Sequence, residues 1–267
     1  MLTLDIYQVR RLPTALGFRA GDRGTHTSRT IMFAELTTVL EIVPADAPLA
    51  LYRQAIIVDN VTGKRTLSTR KLTAQRLSEL YALDPSVPIF RLLRFFWDED
   101  PESRPLLALL CACARDPLLR ATVPAVLETP LGTSVEKEAI EQAISQAAPS
   151  RFNASILNKI ARNARSSWTQ SGHLRGHRLK IRSKPLCTPA AVAYALLLGR
   201  FTGYGGQRLF DTLWTRLLDT DAATLHEMTR EASRRSWLTY RNAGGIIELD
   251  FSPILEASER EVLHEQD

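Results

Sequence analysis

The stretch Asn153–Arg182, "NASILNKIARNARSSWTQSGHLRGHRLKIR", decides the fold class. At 100° per residue, Ile156, Leu157, Ile160, Ala161, Ala164 and Trp168 fall on one side of a helix, while Ser155, Lys159, Arg162, Arg165, Ser166 and Thr169 fall opposite. One face packs and the other is basic and hydroxylated. Gly172 closes this helix as a left-handed cap. Leu174, a turn at Arg175-Gly176-His177 and the run "RLKIR" (178–182) then read as two short strands, with Leu179 and Ile181 facing the core and Arg178, Lys180 and Arg182 facing outward. Helix, glycine, strand, turn, strand is the order of a winged helix-turn-helix.

The same region concentrates charge. From Gln142 to Phe210 there is no Asp or Glu, whereas eleven Lys and Arg residues occur there; the whole chain is only +5, so the remainder is acidic. Charge of one sign collected in one place repels itself unless an anion sits against it. Duplex DNA fits, because a helix enters the major groove and a basic hairpin beside it reaches flanking phosphates. The expected contacts are Lys159, Arg162, Arg165, Arg175, His177, Arg178, Lys180, Arg182 and Lys184. A second patch comes from "GKRTLSTRKLTAQR" (63–76), where Lys64, Arg65, Arg70 and Lys71 surround a helix start able to hold a phosphate.

Outward from this stretch, helical periodicity dominates. Ser28 is the expected cap of "RTIMFAELTTVLEIV", Pro48 begins the next helix, and Ser68 is the expected cap of a third, basic at its entrance. Asp116-Pro117 reads as a sharp helix start, and Thr133 to Glu136 as a capping box. "PLLALLCACA" (105–114) and "TPAAVAYALLLG" (188–199) fall short of the ~20 apolar residues needed to span a bilayer and read as buried helices. "WLTYRNAGGIIELDF" (237–251) reads as a hairpin about Ala243-Gly244-Gly245, and the acidic tail after Pro253 as frayed chain or a short surface helix. Trp97, Trp168, Trp214 and Trp237 take core positions. The expected fold is mainly α: a helical N-terminal domain, residues 1–149, and a basic winged-helix-like domain, residues 150–267, with two small β-hairpins.

Three cysteines, two of them in an apolar run, fit reduced buried thiols in a cytoplasmic protein. The opening "MLTLDIYQVRR" lacks the order of features that defines a signal peptide, so neither export nor a membrane role is expected. No phosphate-loop lysine, GxSxG or acid-acid-Lys constellation is present, and His173 and His177 are separated by Gly176, which breaks the helical i, i+4 geometry of a metal pair. No enzyme activity, cofactor or metal is expected.

The segments "DNVTGKRTLSTRKL" (59–72), "NARSSWTQSGHLRG" (163–176) and "TPAAVAYALLLG" (188–199) together resemble the BrxA family, accessory proteins of the bacteriophage exclusion (BREX) systems of bacteria. The resemblance covers about residues 29–250. It implies a small, mainly helical cytoplasmic protein that binds double-stranded DNA and acts in phage defence beside other BREX proteins. The alternatives carried by the residues themselves are a scaffold whose basic face docks an acidic partner subunit, and a nuclease.

Overall fold

In the computed structural model, residue 9 and residues 12–264 are described; the rest, including most of the "MLTLDIYQVRR" leader, lie outside the described residues. The chain is mainly α-helical, with two small antiparallel hairpins. In order, the helices are α1 (Phe33–Ile42), α2 (Leu49–Ile57), α3 (Leu67–Tyr81), α4 (Pro88–Glu99), α5 (Arg104–Arg115), α6 (Pro117–Ala121), α7 (Val123–Leu127), α8 (Lys137–Ala147) and α9 (Ala154–Gln170). The first hairpin, β1 (Leu174–Arg175) and β2 (Ile181–Arg182), follows directly. Then come α10 (Pro189–Phe201), α11 (Leu213–Arg216), α12 (Ala222–Arg234), the second hairpin of β3 (Thr239–Ala243) and β4 (Ile246–Asp250), and α13 (Ala257–His264). Among the described residues no helix is long and apolar enough to cross a membrane.

The two most apolar runs of the sequence form the centre. Leu106 to Ala114 of α5 and Ala190 to Leu198 of α10 are buried without interruption, as expected of helices that are apolar on every side. They pack on each other and on α4, and α10 also carries α11 and α12. Phe96 meets Tyr194 and Trp237 edge-on at 6.1 and 5.5 Å, and the Tyr194 hydroxyl donates to the Ile89 carbonyl at 2.8 Å. All four tryptophans are buried. The hydrophobic core runs without a break across residue 149, where α8 turns into α9.

The helix start expected at Asp116-Pro117 holds, and the caps expected at Ser28, Ser68 and Thr133 do not. Asp116, Asn153 and Thr188 each accept N–H groups from the first turn of α6, α9 and α10. At α3 the cap is Thr66 rather than Ser68, its hydroxyl accepting from the Thr69 N–H. Ser28 does not cap α1, because residues 25–31 are drawn onto α9 instead. The Ile31 N–H donates to Ser167 Oγ at 3.0 Å, and the first N–H of α1, that of Phe33, donates to Gln170 Oε1 at 3.1 Å. The expected capping box at Thr133 is also absent, since residues 132–135 pair with β2. The Val135 N–H donates to Lys180 O and the Arg182 N–H to Thr133 O, both at 2.8 Å. The unit therefore runs extended segment, α8, turn, α9, hairpin, and the first segment closes against the last strand.

The second hairpin turns at Gly244-Gly245, whose φ of 60° and 83° suit a tight two-residue turn that side chains disfavour. The acidic tail is docked rather than frayed up to residue 264. Glu259 of α13 is buried and pairs with Arg91 of α4.

Candidate nucleic-acid interface

Asn153 starts α9 by accepting the Ile156 N–H at 2.9 Å, and from there the helix buries Ile160, Ala161, Ala164, Ser167 and Trp168. Trp168 fixes the rotation, its Nε1–H donating to Thr122 Oγ1 at 2.8 Å. The opposite face follows. Ser155, Lys159 and Arg162 are exposed, and Arg165 is half-buried. The buried stripe is shorter than its periodicity implies: Ile156 is exposed and Leu157 half-buried, because the first turn of α9 projects beyond the core.

The hairpin pairs Leu174 with Arg182 and Arg175 with Ile181, which leaves residues 176–180 as its loop. Arg175, His177 and Arg178 are exposed there. Gly176 has φ +94°, and a Cβ on it would meet the Leu179 carbonyl at 2.3 Å, so the loop needs a glycine at this point. Lys180 Nζ donates back to Gly176 O at 2.7 Å. Burial, and then the like charge of Arg165, hold the Lys180 ammonium below the usual lysine range. Arg165 on the basic face of α9 thus lies close enough to Lys180 at the base of the loop for its charge to be felt. Arg165 Nε is buried there without a hydrogen-bond acceptor. Lys184, just past β2, is exposed. Among the described residues none of Lys159, Arg162, Arg165, Arg175, Arg178, Lys180 or Lys184 has a carboxylate within 4 Å. The surface is not free of acid, however, because Glu138 of α8 lies close enough to Arg165 to feel its charge.

Two expectations for "RLKIR" are overturned. Leu179 is 58 % exposed in the loop instead of facing the core. Arg182, expected outward, is 2 % exposed, and its guanidinium is committed to the protein: Nε donates to Val126 O at 2.9 Å, Nη1 to the carbonyls of His173 and Ser183, and Nη2 pairs with Asp219 Oδ2 at 2.7 Å. It ties α7, the hairpin and the turn after α11 together, and it is not a surface contact. His173 is also internal, bonded to Ser171 Oγ at 2.9 Å and Leu217 O at 2.9 Å. Burial and the neighbouring Arg182 push its imidazole down to about 3, so it is neutral at ordinary pH.

The second expected patch is divided. Lys64 pairs with Glu35 at 2.8 Å, and Arg70 donates to the Lys64 and Ile57 carbonyls, so both hold α1, α2 and α3 together. Arg65 and Lys71 are exposed.

The sequence gives no signal for a buried Ser–His–Asp constellation. His26 Nδ1 lies 2.8 Å from Asp116 Oδ2, and Nε2 lies 2.8 Å from Ser167 Oγ. Burial raises the Asp116 carboxyl, but the His26 ring and the N–H groups of Leu119 and His26 outweigh it and hold the group below its usual range. Gly24 is required beside it, since a Cβ there would sit 2.1 Å from Asp116 Oδ1. Ser167 is fully buried and already accepts the Ile31 N–H, so no substrate carbonyl can approach its hydroxyl. The arrangement staples residues 24–31 to α6 and α9. Only the Asp116-Pro117 helix start is visible in the sequence; its partners lie 90 and 51 residues away.

No family model matches the chain, and no curated protein matches it.

Proposed function

We propose that this protein is a non-catalytic double-stranded DNA-binding accessory component of a bacterial phage-defence system of the BREX type. The observation that carries the DNA reading is that Lys159, Arg162, Arg165, Arg175, Arg178, Lys180 and Lys184, on α9, the first hairpin and the chain just beyond it, have no carboxylate within 4 Å among the described residues. Like charges brought together without a carboxylate in bonding distance are stabilised by an anion bridging them. The order of elements supports a winged helix-turn-helix: α8 and α9 form the helix pair, residues 132–135 and β2 form the small sheet, and the loop 176–180 is the wing. The exposed first turns of α9 suit entry into the major groove, with the loop cations on flanking phosphates. Phosphate contacts dominate this surface, so sequence preference is weak, limited to what Arg162 or Arg165 reads at guanine. The phage-defence role and other BREX proteins as partners rest on the resemblance of residues 59–72, 163–176 and 188–199.

A band-shift titration at low salt tests the DNA reading. Retardation of unrelated duplexes with similar affinity is expected; no complex at about 10–100 μM protein, the range of non-specific binding, would refute it. Intact plasmid after incubation with Mg²⁺ is expected, and nicking that co-purifies with the protein and is lost on mutating one acid would show catalysis.

A further inference from the structure

A separate cleft of about 720 Å³ lies between α2, α3 and the end of α5, and none of its lining residues belongs to α9 or the first hairpin. Its cations are Arg19, Arg53, Lys71 and Arg115. Its one acid, Glu79, is already engaged: Oε2 accepts from Arg76 at 2.7 Å and Thr25 at 2.9 Å, and Oε1 from Gln75 at 2.9 Å. None of the four cations has a carboxylate within 4 Å among the described residues.

Two of these cations are held in place. Arg115 donates to Glu79 O, Ser78 O and Gly17 O at 3.1, 3.1 and 2.5 Å, and Arg19 donates to Glu79 O at 3.3 Å. Both therefore sit at the carbonyl end of α3, where backbone dipoles favour a cation. Three of the five N–H groups of Arg115 are used, which leaves two for a ligand. Arg53 and Lys71 are exposed and able to swing onto whatever enters. Leu49, Ile57 and Ala74 line the same cleft. A volume of this size is that of a small-molecule site rather than a duplex groove. Cationic walls beside apolar side chains suit a ligand with a phosphate chain at one end and a planar apolar ring at the other.

We propose that this cleft binds a nucleoside polyphosphate, with Arg19, Arg53, Lys71 and Arg115 meeting the phosphates and Leu49, Ile57 and Ala74 meeting the base. The test is calorimetric titration of the full chain at low ionic strength with ATP, AMP and inorganic tripolyphosphate, repeated on Arg53→Ala/Lys71→Ala. ATP is expected to bind more tightly than about 1 mM and more tightly than AMP or tripolyphosphate, and the double variant to lose about tenfold or more, the loss expected for charge-assisted hydrogen bonds. The variant should keep its ligand-free melting temperature, because both side chains are exposed, and Arg53→Ala alone should keep the parent's duplex DNA affinity, which separates this site from the α9 surface. No heat of binding with any of the three probes, or equal ATP affinity in parent and variant, would overturn the proposal. Tripolyphosphate binding as tightly as ATP would overturn the assignment of the base.

Discussion

At the scale of single residues, the charges that hold the fold and those offered to solvent are the same residue types and differ only in their partners. Arg182 and Arg178 lie four positions apart; one is enclosed by three carbonyls and Asp219, the other is exposed. Arg182→Met should therefore destabilise the protein by about 3–5 kcal/mol, because it leaves carbonyls and the Asp219 carboxylate without their cation. Arg178→Ala should change stability by less than about 0.5 kcal/mol. Urea denaturation of both variants checks the contrast. His173 gives a pH signature. Its folded-state value of about 3 lies below the ordinary 6.5, so the unfolded chain takes up a proton first as pH falls. Stability from this group is complete above pH 6.5 and declines toward pH 3, by up to about 1.4 kcal/mol per unit. Between pH 6.5 and 4, His173→Gln should show a flatter dependence of unfolding free energy on pH than the parent. A slope identical to the parent's would mean that His173 is not the buried neutral group described. Asp116, held below its ordinary 3.8, stabilises above that value and loses its contribution only at lower pH, outside this window.

At the scale of elements, the sequence was most legible where a structure is specified locally. Asn153, Asp116 and Thr188 mark helix starts because a side-chain oxygen is spaced to meet the free N–H groups, and Gly244-Gly245 marks a hairpin because glycine tolerates positive φ. The all-apolar α5 and α10 are legible for the same kind of reason. The first hairpin was legible in its existence but not in its facing. Alternation assumes a continuous strand, whereas only Ile181 and Arg182 pair with β1, and the chain before them is loop. Arg182 then turns inward toward Asp219, which is 37 residues away and invisible to local pattern. The caps expected at Ser28 and Thr133 failed for a related reason: each segment is claimed by a long-range partner, α9 in one case and β2 in the other. Leu179→Ala should accordingly leave the melting temperature almost unchanged, where a buried leucine would cost about 2–5 kcal/mol. Gly176→Ala should lower it, because a Cβ would collide with backbone and φ is +94°. Thermal melts of the two variants settle which residue the loop depends on.

At the scale of the whole molecule, nine of the eleven cations between Gln142 and Phe210 are sorted by folding into two populations. Arg151 and Arg182 pair with Asp22 and Asp219, acids from outside the run, while seven others between Lys159 and Lys184 remain without an ion pair on α9, the hairpin and the chain just beyond. That division was not legible in a charge count, which treats all eleven alike. It makes the electrostatic surface smaller than the sequence suggests, and it ties the surface to two elements held rigid by the His26 staple beneath α9 and by the pairing of residues 132–135 with β2. The most direct test is the dependence of duplex DNA affinity on salt for the parent and for Lys159→Ala/Arg162→Ala/Arg175→Ala/Arg178→Ala, with melting curves of both. All four side chains are exposed, so the variant should melt with the parent. The slope of log affinity against log salt should become shallower by up to about 0.9 for each phosphate contact removed, roughly three to four in all. A folded variant with the parent's slope and affinity would contradict the account, because it would place DNA binding somewhere other than α9 and the hairpin.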